Sequence, residues 1–401
     1  MLVRNLRIRE ILATNSRKTI EVELDTAKCS VRSSVPMGTS TGSYEAKQLA
    51  TEDVIRKFLM IRPYFTKHDF VDQTDLDFQL HAVDKTQDFR DIGGNLSLAI
   101  SSVFLKAFAA ESAMETFEFL ADQYKLKNKT DDKSKLPKPL CNVIGGWAGT
   151  GASDIQEFLL LPVHQISFRA NILKIADAYQ DIADVLQKAD SSFKFAKNYE
   201  SAWVTSLNME KILSLLTPIA KKNLLSIGLD VAASNLWDGG SYVYANSGLK
   251  LSRTEQISFI EDLASRYPIS YIEDPFHEDD FIAFSTLNTR LSNRGKLVAG
   301  DDLYATNASR LSQGIAMKAT NAVIIKPNQV GTITDTIKTV EEAKSHNVAC
   351  VLSHRSGETE DTLMCHLAVG LGCEYIKLGI SGERTVKINE MLRIEEKLQS
   401  A

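Results

Sequence analysis

The sequence is poor in several kinds of residue, and each shortage excludes a class of protein. Its five cysteines include no CxxC pair, which favours reduced core thiols over a zinc site or a disulfide framework. Lys and Arg number 46 against 51 Asp and Glu, a net charge of -5, whereas nucleic-acid binding needs a basic surface. No apolar run approaches the roughly 18 residues of a membrane span, and the first residues, MLVRNLRIREIL, lack the apolar segment of a signal peptide. We therefore expect a cytoplasmic protein with no nucleic-acid or membrane partner.

The chain of 401 residues is long enough for two domains, because single hydrophobic cores rarely grow beyond about 250–300 residues. The clearest break is the lysine-rich stretch YKLKNKTDDKSKLPKPL, which lacks apolar periodicity and ends in prolines that disfavour a helix. Strand-like segments followed by helical ones before the break predict a small α+β domain. We expect this domain at residues 1–126, a linker at 127–139 and a larger domain at 140–401.

After the break, short apolar runs recur, and each ends on an ionisable residue. The runs LLSIGLD, ISYIE, KLVAGD, AVIIK, ACVLSH and EYIK end at Asp230, Glu273, Asp301, Lys326, His354 and Lys377. Their spacing fits one strand plus one helix, and buried parallel strands have this near-continuous apolar character. A closed (β/α)8 barrel brings its functional residues together at the C-terminal strand ends. An open doubly wound sheet is the alternative, but it would rarely carry ionisable residues at so many successive strand ends.

Three of these strand-end residues, Asp230, Glu273 and Asp301, are carboxylates that a barrel would bring together. A single carboxylate at a strand end usually reaches solvent or a lysine. Three that converge without a cation repel one another and lose hydration. A hard cation with oxygen ligands relieves that repulsion, and Mg²⁺ is favoured before Ca²⁺. The pattern therefore predicts a magnesium site.

The basic residues at the strand ends predict the chemistry beside that site. Next to a divalent cation and to each other, Lys326 and Lys377 should have lowered pKa values, and a neutral lysine can act as a general base. A metal beside a lysine base suits removal of a proton next to a carboxylate. His354, Arg355 and Ser356 in succession make a cradle for a phosphate. We therefore expect a phosphorylated carboxylic acid as the substrate.

The motifs HRSGETED, DVAAS, IEDPF, GDDL and LRIEE together resemble those of enolases, and the resemblance extends over essentially the whole chain. It implies a modified (β/α)8 TIM-type barrel, with a ββαα start followed by βα units, preceded by the smaller α+β domain. It implies a hydro-lyase that reversibly dehydrates 2-phosphoglycerate to phosphoenolpyruvate in glycolysis and gluconeogenesis. It also implies a homodimer or a larger homo-oligomer, in which Glu21 and Arg393 match an ion pair between subunits.

The resemblance implies ligands for two magnesium ions. One ion binds tightly, and Asp230, Glu273 and Asp301 match its ligands. The second joins with the substrate phosphate at Ser40, in the loop VPMGTSTGSYEA. By composition alone this loop is a Gly-rich surface turn, and it lacks the Gly-Lys-Ser/Thr of a Walker A loop.

The resemblance also implies roles for the residues that handle the substrate. Lys326 in IIKPNQ matches the base that removes the C2 proton, and Lys377 in YIKLG matches the lysine that binds the substrate carboxylate. Arg355 and Ser356 match the phosphate-binding pair, with His354 beside them.

Two glutamates match the acid that protonates the leaving hydroxide and the residue that assists it. Glu200 in NYESAW is at the position of the acid, and Glu157 in IQEF is at the position of the assisting glutamate, which also contacts the substrate. Glu157 opens its strand, which in a regular parallel barrel is the wrong end. The antiparallel hairpin that begins an enolase barrel would bring it to the catalytic end.

The chain departs from the family in its loops. Ala148 replaces a histidine of the loop before IQEF, Tyr199 replaces an aspartate, Ser201 and Ala202 replace two glycines, and Met37 replaces a serine. Loop residues of this kind usually govern closure and the exclusion of water. Two alternatives to a working enolase follow: a paralogue that acts on another acid, or a catalytically impaired protein that binds ligand or serves as a scaffold.

Overall fold

The computed structural model describes residues 1–38, 42–124, 136–146 and 153–400. Its strands are β1 (Asn5–Leu12), β2 (Lys18–Asp25), β3 (Ser30–Ser34), β4 (Lys138–Gly145), β5 (Glu157–Pro162), β6 (Leu225–Asp230), β7 (Tyr242–Tyr244), β8 (Leu249–Leu251), β9 (Ile269–Glu273), β10 (Leu297–Gly300), β11 (Ala322–Ile325), β12 (Ala349–Ser353) and β13 (Tyr375–Gly379). Its α-helices are α1 (Thr51–Lys67), α2 (Gln73–Val83), α3 (Gly94–Glu111), α4 (Thr116–Tyr124), α5 (Phe168–Ala189), α6 (Met209–Lys222), α7 (Arg253–Arg266), α8 (Phe281–Ser292), α9 (Ala308–Ala316), α10 (Ile333–Ser345), α11 (Leu363–Gly370) and α12 (Thr385–Ser400). Short 3₁₀ helices lie at Ala233–Leu236, Pro327–Gln329 and Gly382–Arg384.

The N-terminal part is a three-stranded antiparallel sheet, β1–β2–β3, with helices packed on it. Helix α3 is buried over most of its length against β2 and β3. The sequence predicts one continuous helical segment from Asn95 to Tyr124. In the structure this segment forms two helices, because α3 ends at Glu111 and α4 continues at 90° to it. Ala113 adopts a left-handed backbone conformation at the break, which ends the helix.

No single helix among the described residues has the length and apolar character of a membrane span. Helices α3 and α4 have that length and apolar character only when taken together, across the 90° bend between them.

Eight of the described strands close into a barrel in the order β4–β5–β6–β9–β10–β11–β12–β13, and β13 pairs with β4. Strand β5 runs antiparallel to both of its neighbours, whereas the other pairs of the barrel are parallel. Helices α5 and α6 follow this hairpin, and barrel strands and helices then alternate, with the two-stranded sheet β7–β8 between β6 and α7. The fold expected from the sequence, a ββαα start followed by βα units and preceded by a smaller α+β part, is confirmed.

Apolar side chains fill the barrel interior and leave the strand ends free for polar residues. The interior cluster consists of Leu140, Leu159, Leu161, Tyr271, Ala299, Ala322, Ile324 and Val351. Around it, the amphipathic helices bury one face each. In α5, as the spacing predicts, the buried positions include Ile172, Ile175, Tyr179, Ile182 and Leu186.

Some boundaries differ from those expected. Strand β13 continues to Gly379, so Lys377 lies inside its strand and not at its end. Strand β4 begins at Lys138, within the segment expected to be a linker. Residues 125–135 lie outside the described ranges, so the domain limits 1–126 and 140–401 stay predictions. The cysteines are free and, apart from Cys29, buried, as expected for core thiols.

Side chains of the N-terminal part accept hydrogen bonds from the first N–H groups of α10 and so connect this part to the barrel. Asp77 accepts a hydrogen bond from the Thr334 N–H at 2.8 Å, and Ser101 accepts one from the Ile333 N–H at 2.9 Å. Both satisfy N–H groups that a helix start leaves without an intrahelical partner. His81 adds an ion pair between its Nε2 and Oδ2 of Asp335, at 2.7 Å.

Stability should depend on pH through His81. Its hydrogen bond to Asp335 raises the pKa of His81, and the pKa of Asp335 is lowered to about 2, because hydrogen bonds led by that from His81 outweigh its burial. With Asp335 ionised, above about pH 5, the stabilisation is therefore complete below the unfolded-state pKa of His81, about 6.5, and is lost as the pH rises through the raised folded-state value. We expect His81→Gln to lower the free energy of unfolding by up to about 1 kcal/mol just below a pH of about 6.5 and by less above the folded-state pKa of His81.

Urea unfolding of the wild type and of His81→Gln at pH values on both sides of this range measures the difference. His68→Gln is the control, since His68 contacts the backbone oxygen of Tyr64 and forms no carboxylate pair among the described residues. A stability difference that does not change with pH would contradict the assignment.

Candidate active site

A cavity of about 670 Å³ lies at the C-terminal end of the barrel strands. The N-terminal part contributes Gly42, Ser43 and Glu45 to its wall. The sequence-predicted residues that line it are Glu157, Glu200, Asp230, Asp301, Lys326, His354, Arg355, Ser356 and Lys377. Glu273 is fully buried and hydrogen-bonded to Lys377. Ser40 and Ala148 lie outside the described residues.

Lys377 is the centre of a buried ionic cluster. Its Nζ lies 2.8 Å from Oδ2 of Asp230, 2.9 Å from both carboxylate oxygens of Glu273 and 3.0 Å from Oε2 of Glu157. The antiparallel direction of β5 makes this possible, because it pairs the first residue of β5, Glu157, with the last residue of β6, Asp230. Tyr271 donates to Oε2 of Glu273 at 2.8 Å and fixes that carboxylate from inside the barrel.

Lys326 forms a second ionic contact, with Oδ2 of Asp301. The other oxygen of Asp301 accepts a hydrogen bond from Gln329 at 3.0 Å. The Lys326 N–H donates to Thr306 Oγ1 at 2.9 Å, so the backbone at the strand end is fixed as well. Both lysines therefore lie on the cavity wall in ion pairs with carboxylates.

The expectation that these lysines have lowered pKa values is wrong for the chain by itself. Burial alone would lower the pKa of Lys377, but Asp230, Glu157 and Glu273 raise it well above its usual range. The pKa of Lys326 is raised in the same way, chiefly by Asp301. Sequence reasoning counted the repulsion between the two ammonium groups and a cation, and missed that each ammonium contacts a carboxylate directly.

The carboxylates outnumber the ammonium groups that neutralise them, and this excess fits a metal ion. Burial and the neighbouring Asp230 raise the pKa of Glu273 to about 8, and burial and Asp301 raise that of Asp302 to about 7. Oxygens of Asp274, Asp301 and Asp302 lie within 4.8 Å of one another, a spacing at which one ion can be held. Oxygen donors of this kind suit a hard divalent cation.

That oxygen cluster shares only Asp301 with the ligand set expected from the sequence. Lys377 accounts for the difference, because its ammonium lies between Asp230 and Glu273 in the chain by itself. Asp274 also has a structural role, because it accepts the backbone N–H groups of Asp301 and Asp302 at 2.9 and 2.8 Å. It therefore orients the two carboxylates that follow β10.

The expected phosphate cradle is built around a buried arginine. Arg355 pairs with Glu45, with Nη1 at 3.0 Å from Oε2 and Nη2 at 3.3 Å from Oε1. The Arg355 N–H donates to Glu358 at 2.9 Å. The exchange of backbone hydrogen bonds between Met37 and Gly357, at 2.7 and 2.9 Å, holds the loop beside it. The N-terminal part thus contributes directly to the cradle.

His354 is buried beside the cradle, and neither of its ring nitrogens has a hydrogen-bond partner among the described residues. Burial, followed by the charge of Arg384, lowers the pKa of His354 well below its usual range. Its imidazole is therefore neutral and is available to a ligand in the cavity.

Glu157 and Glu200 form a hydrogen-bonded pair of carboxyl groups that line the same cavity. Burial and the neighbouring Glu200 raise the pKa of Glu157 well above its usual range, which favours a proton held between the two carboxyl groups. Asn142 donates to Oε2 of Glu200 at 3.0 Å. The loop that carries Glu200 is held by Asn198, whose Oδ1 accepts the N–H groups of Glu200 and Ala202, each at 3.0 Å.

Several residues of the site were missed by sequence reasoning. Asp302 and Asp274 lie beside assigned residues in GDDL and IEDPF, and Glu45 lies in the loop VPMGTSTGSYEA that carries Ser40, so the motifs themselves carried the signal. Asn142 and Arg384 do not end a strand and had no such signal. They are identified only by their contacts with Glu200 and with the loops around it.

The close approach of β13 to the loop of Glu200 requires a glycine at position 379. A Cβ on Gly379 would overlap the backbone oxygen of Glu200 and lie 2.8 Å from Cγ of Arg384. We expect Gly379→Ala to lower the free energy of unfolding by about 1–3 kcal/mol, as for overpacked cores. Gly240→Ala is the control, because a Cβ there has only Asp238 nearby among the described residues, at 3.9 Å. Equal thermal stability of both variants would contradict this prediction.

Comparisons with known proteins identify the family. The family model described as "Enolase, N-terminal domain" matches residues 3–120, and that described as "Enolase, C-terminal TIM barrel domain" matches residues 133–401. Curated relatives named Enolase include that of Methanocorpusculum labreanum, 37% identical over 98% of this chain and 99% of the relative. Those of Methanothermobacter thermautotrophicus, 35% identical over 99% and 97%, and Halobacterium salinarum, 37% identical over 98% of each, are similar over the same extent. The chain therefore belongs to the enolase family of hydro-lyases.

Proposed function

We propose that the chain catalyses the reversible dehydration of 2-phosphoglycerate to phosphoenolpyruvate, as a cytoplasmic enzyme of glycolysis and gluconeogenesis. The observation that carries the proposal is the convergence of three sets of groups on one cavity: the lysines, the hydrogen-bonded glutamates and the arginine cradle. A paralogue that had lost catalysis would not need to keep these buried charges together, since unpaired ones are costly. No contact among the described residues favours either alternative.

We propose Mg²⁺ as the cofactor, with one ion held tightly by Asp230, Glu273 and Asp301 and a second that joins with substrate at Ser40. The raised pKa of Glu273, caused by burial and the neighbouring Asp230, supports the first site, because it reflects an excess of buried negative charge there. When bound, Mg²⁺ supplies positive charge that stabilises the negative charge developing on the substrate carboxylate.

Lys326 removes the C2 proton in this proposal, and Lys377 binds the substrate carboxylate. Both side chains line the cavity, where Lys377 is buried and Lys326 is partly buried. Lys326 must leave its contact with Asp301 and be deprotonated before it can accept the proton.

The glutamate pair completes the reaction. Glu200 protonates the leaving C3 hydroxyl, which departs as water, and Glu157 shares the proton before the transfer. The raised pKa of Glu157 supports this, because it favours a proton held by the pair, which can then be donated.

Arg355 and Ser356 hold the phosphate, with neutral His354 beside them. Arg355 already has Glu45 as a buried partner, which keeps its guanidinium oriented before substrate binds. The fixed charge supports selection of a phosphorylated acid over an unphosphorylated one, because the unphosphorylated acid would leave the arginine without its ligand.

Turnover tests the proposal. Purified protein with Mg²⁺ and 2-phosphoglycerate should form phosphoenolpyruvate, followed by its ultraviolet absorbance, and EDTA should abolish the reaction. Lys326→Ala should lower kcat by roughly 10²- to 10⁴-fold, the usual contribution of a general base.

Lys222→Ala is the matched control, since this lysine is exposed and pairs only with Asp181 among the described residues. It should retain wild-type kcat and KM. Absence of turnover in the wild type, or full activity in Lys326→Ala, would overturn the assignment.

We also propose that the chain forms a homodimer or a larger homo-oligomer. Arg393 is exposed and contacts only Glu390 of its own helix among the described residues, so its guanidinium is available to a second subunit. Arg393→Glu should weaken the assembly, because it would place a glutamate opposite Glu21 of the second subunit. Light scattering over a dilution series measures the strength of the assembly. Arg290→Glu, at an exposed position of α8, is the control. An assembly that is equally strong in both variants would refute this contact.

A further inference from the structure

Arg384 is almost completely buried, with 1% of its surface exposed, and does not line the cavity. Its guanidinium donates three hydrogen bonds, all to backbone carbonyls: to Arg355 at 2.7 Å, to Tyr199 at 2.7 Å and to Ser356 at 2.6 Å. Among the described residues its ion-pair partner is Glu383, at 3.7 Å from Nε and 41% exposed. A buried guanidinium with so weak a carboxylate partner is poorly explained by stability alone.

The three carbonyls belong to two loops that carry different functions. Tyr199 precedes Glu200 in the loop with the proposed acid, whereas Arg355 and Ser356 form the proposed phosphate cradle. Arg384 itself ends the short 3₁₀ helix that follows β13. Arg384 therefore contacts the backbone of two loops that line the cavity without lining the cavity itself.

Further contacts fasten the acid loop to the same segment. Ser381 donates from its hydroxyl to the carbonyl of Ser201 at 3.1 Å, and Tyr179 donates to that carbonyl at 2.6 Å. Lys197, at the start of the loop, donates to Ser381 Oγ at 3.1 Å. The loop residues that depart from the family, Tyr199 and Ser201, are among those held here.

The hydrogen bonds of Arg384 fix the orientation of two peptide planes. In a trans peptide the N–H points opposite to the C=O. Because the Tyr199 carbonyl faces Arg384, the Glu200 N–H points away from it, toward Asn198, which accepts it at 3.0 Å. The Arg355 carbonyl likewise faces Arg384, so the Ser356 N–H is directed away from the guanidinium. The backbone segments that carry Glu200 and Ser356 are thus both oriented by the guanidinium of Arg384.

We propose that Arg384 is a positioning residue that couples the acid loop to the phosphate cradle. Its guanidinium holds Glu200 and the Arg355–Ser356 pair at a fixed separation, so that a phosphate seated in the cradle places the leaving hydroxyl at the acid. The inference rests on the proposed function, because it assigns a role within that reaction.

Kinetics of Arg384→Met and Arg384→Lys test the coupling. A misplaced acid should lower kcat of the Met variant by roughly 100-fold. A loosened cradle should raise its KM for 2-phosphoglycerate by about tenfold, the effect of one lost charge-assisted hydrogen bond. The Lys variant, which keeps the charge and some donors without the planar fork, should recover part of both losses.

Glu395→Gln is the matched control for burial. Glu395 is a buried charge on α12 that accepts the backbone N–H groups of Phe168 and Arg169, at 2.6 and 2.9 Å, away from the cavity. It should lower stability while kcat and KM remain at the wild-type values. A purely structural role for Arg384 would give its variants that same pattern and would overturn the proposal, as would a change in KM alone.

Hydrogen–deuterium exchange separates this inference from the proposed function. Inorganic phosphate, bound in the cradle of the wild type, should slow exchange at the Glu200 and Ala202 amides, and in Arg384→Met it should not. This readout needs no turnover, so a wild type without enolase activity would refute the proposed function and leave the coupling measurable. Equal protection of the acid loop in both proteins would overturn the coupling. If the Met variant does not fold, the Lys variant decides by the same criteria.

Discussion

The structure depends on the balance of buried charge at one end of the barrel. Lys377 lies within 3.0 Å of three carboxylates that come from different strands. Removing one member of such a cluster leaves a buried charge without a partner, which costs about 3–5 kcal/mol. The strands that carry these groups must therefore keep their register, and the apolar barrel interior below them maintains it.

The same balance explains why the N-terminal part is needed at the site. The buried guanidinium of Arg355 forms its ion pair with Glu45, a residue of the N-terminal part. The capping of α10 by Asp77 and Ser101 brings the two parts of the chain together elsewhere, through buried hydrogen bonds to backbone N–H groups. Both parts of the chain thus build the cavity: the barrel carries most of its charged residues, and the N-terminal part supplies Glu45, the partner of Arg355.

Sequence reasoning predicted the features that depend on periodicity and missed those that depend on packing. The barrel and its strand-end residues were predictable, because apolar runs that end on ionisable groups repeat at a regular spacing. The position of Glu157 came only from the resemblance to enolases, since nothing in IQEF itself shows that its strand is antiparallel. The break after α3 was missed because the apolar pattern continues through it.

The expectation of lowered lysine pKa values assumed a bound cation, and in the chain by itself the shifts have the opposite sign for a physical reason. The sequence reveals which charges share a cavity but not which of them touch, and direct contact with carboxylates outweighs the repulsion between lysines. Arg384 had no signal at all, because its partners are backbone carbonyls, and any residue type supplies those. Positions such as Ser40 and Ala148 lie outside the described residues.

The place of β13 in the barrel has a consequence for the order of assembly. Lys377 follows Asp230 by 147 positions and Glu273 by 104, and it is carried by the strand that closes the barrel against β4. During synthesis the carboxylates therefore emerge long before the ammonium that neutralises them. Any compact intermediate that lacks β13 must keep those carboxylates hydrated or protonated. The last strand to be made is thus also the one that allows the charged end of the barrel to become dry.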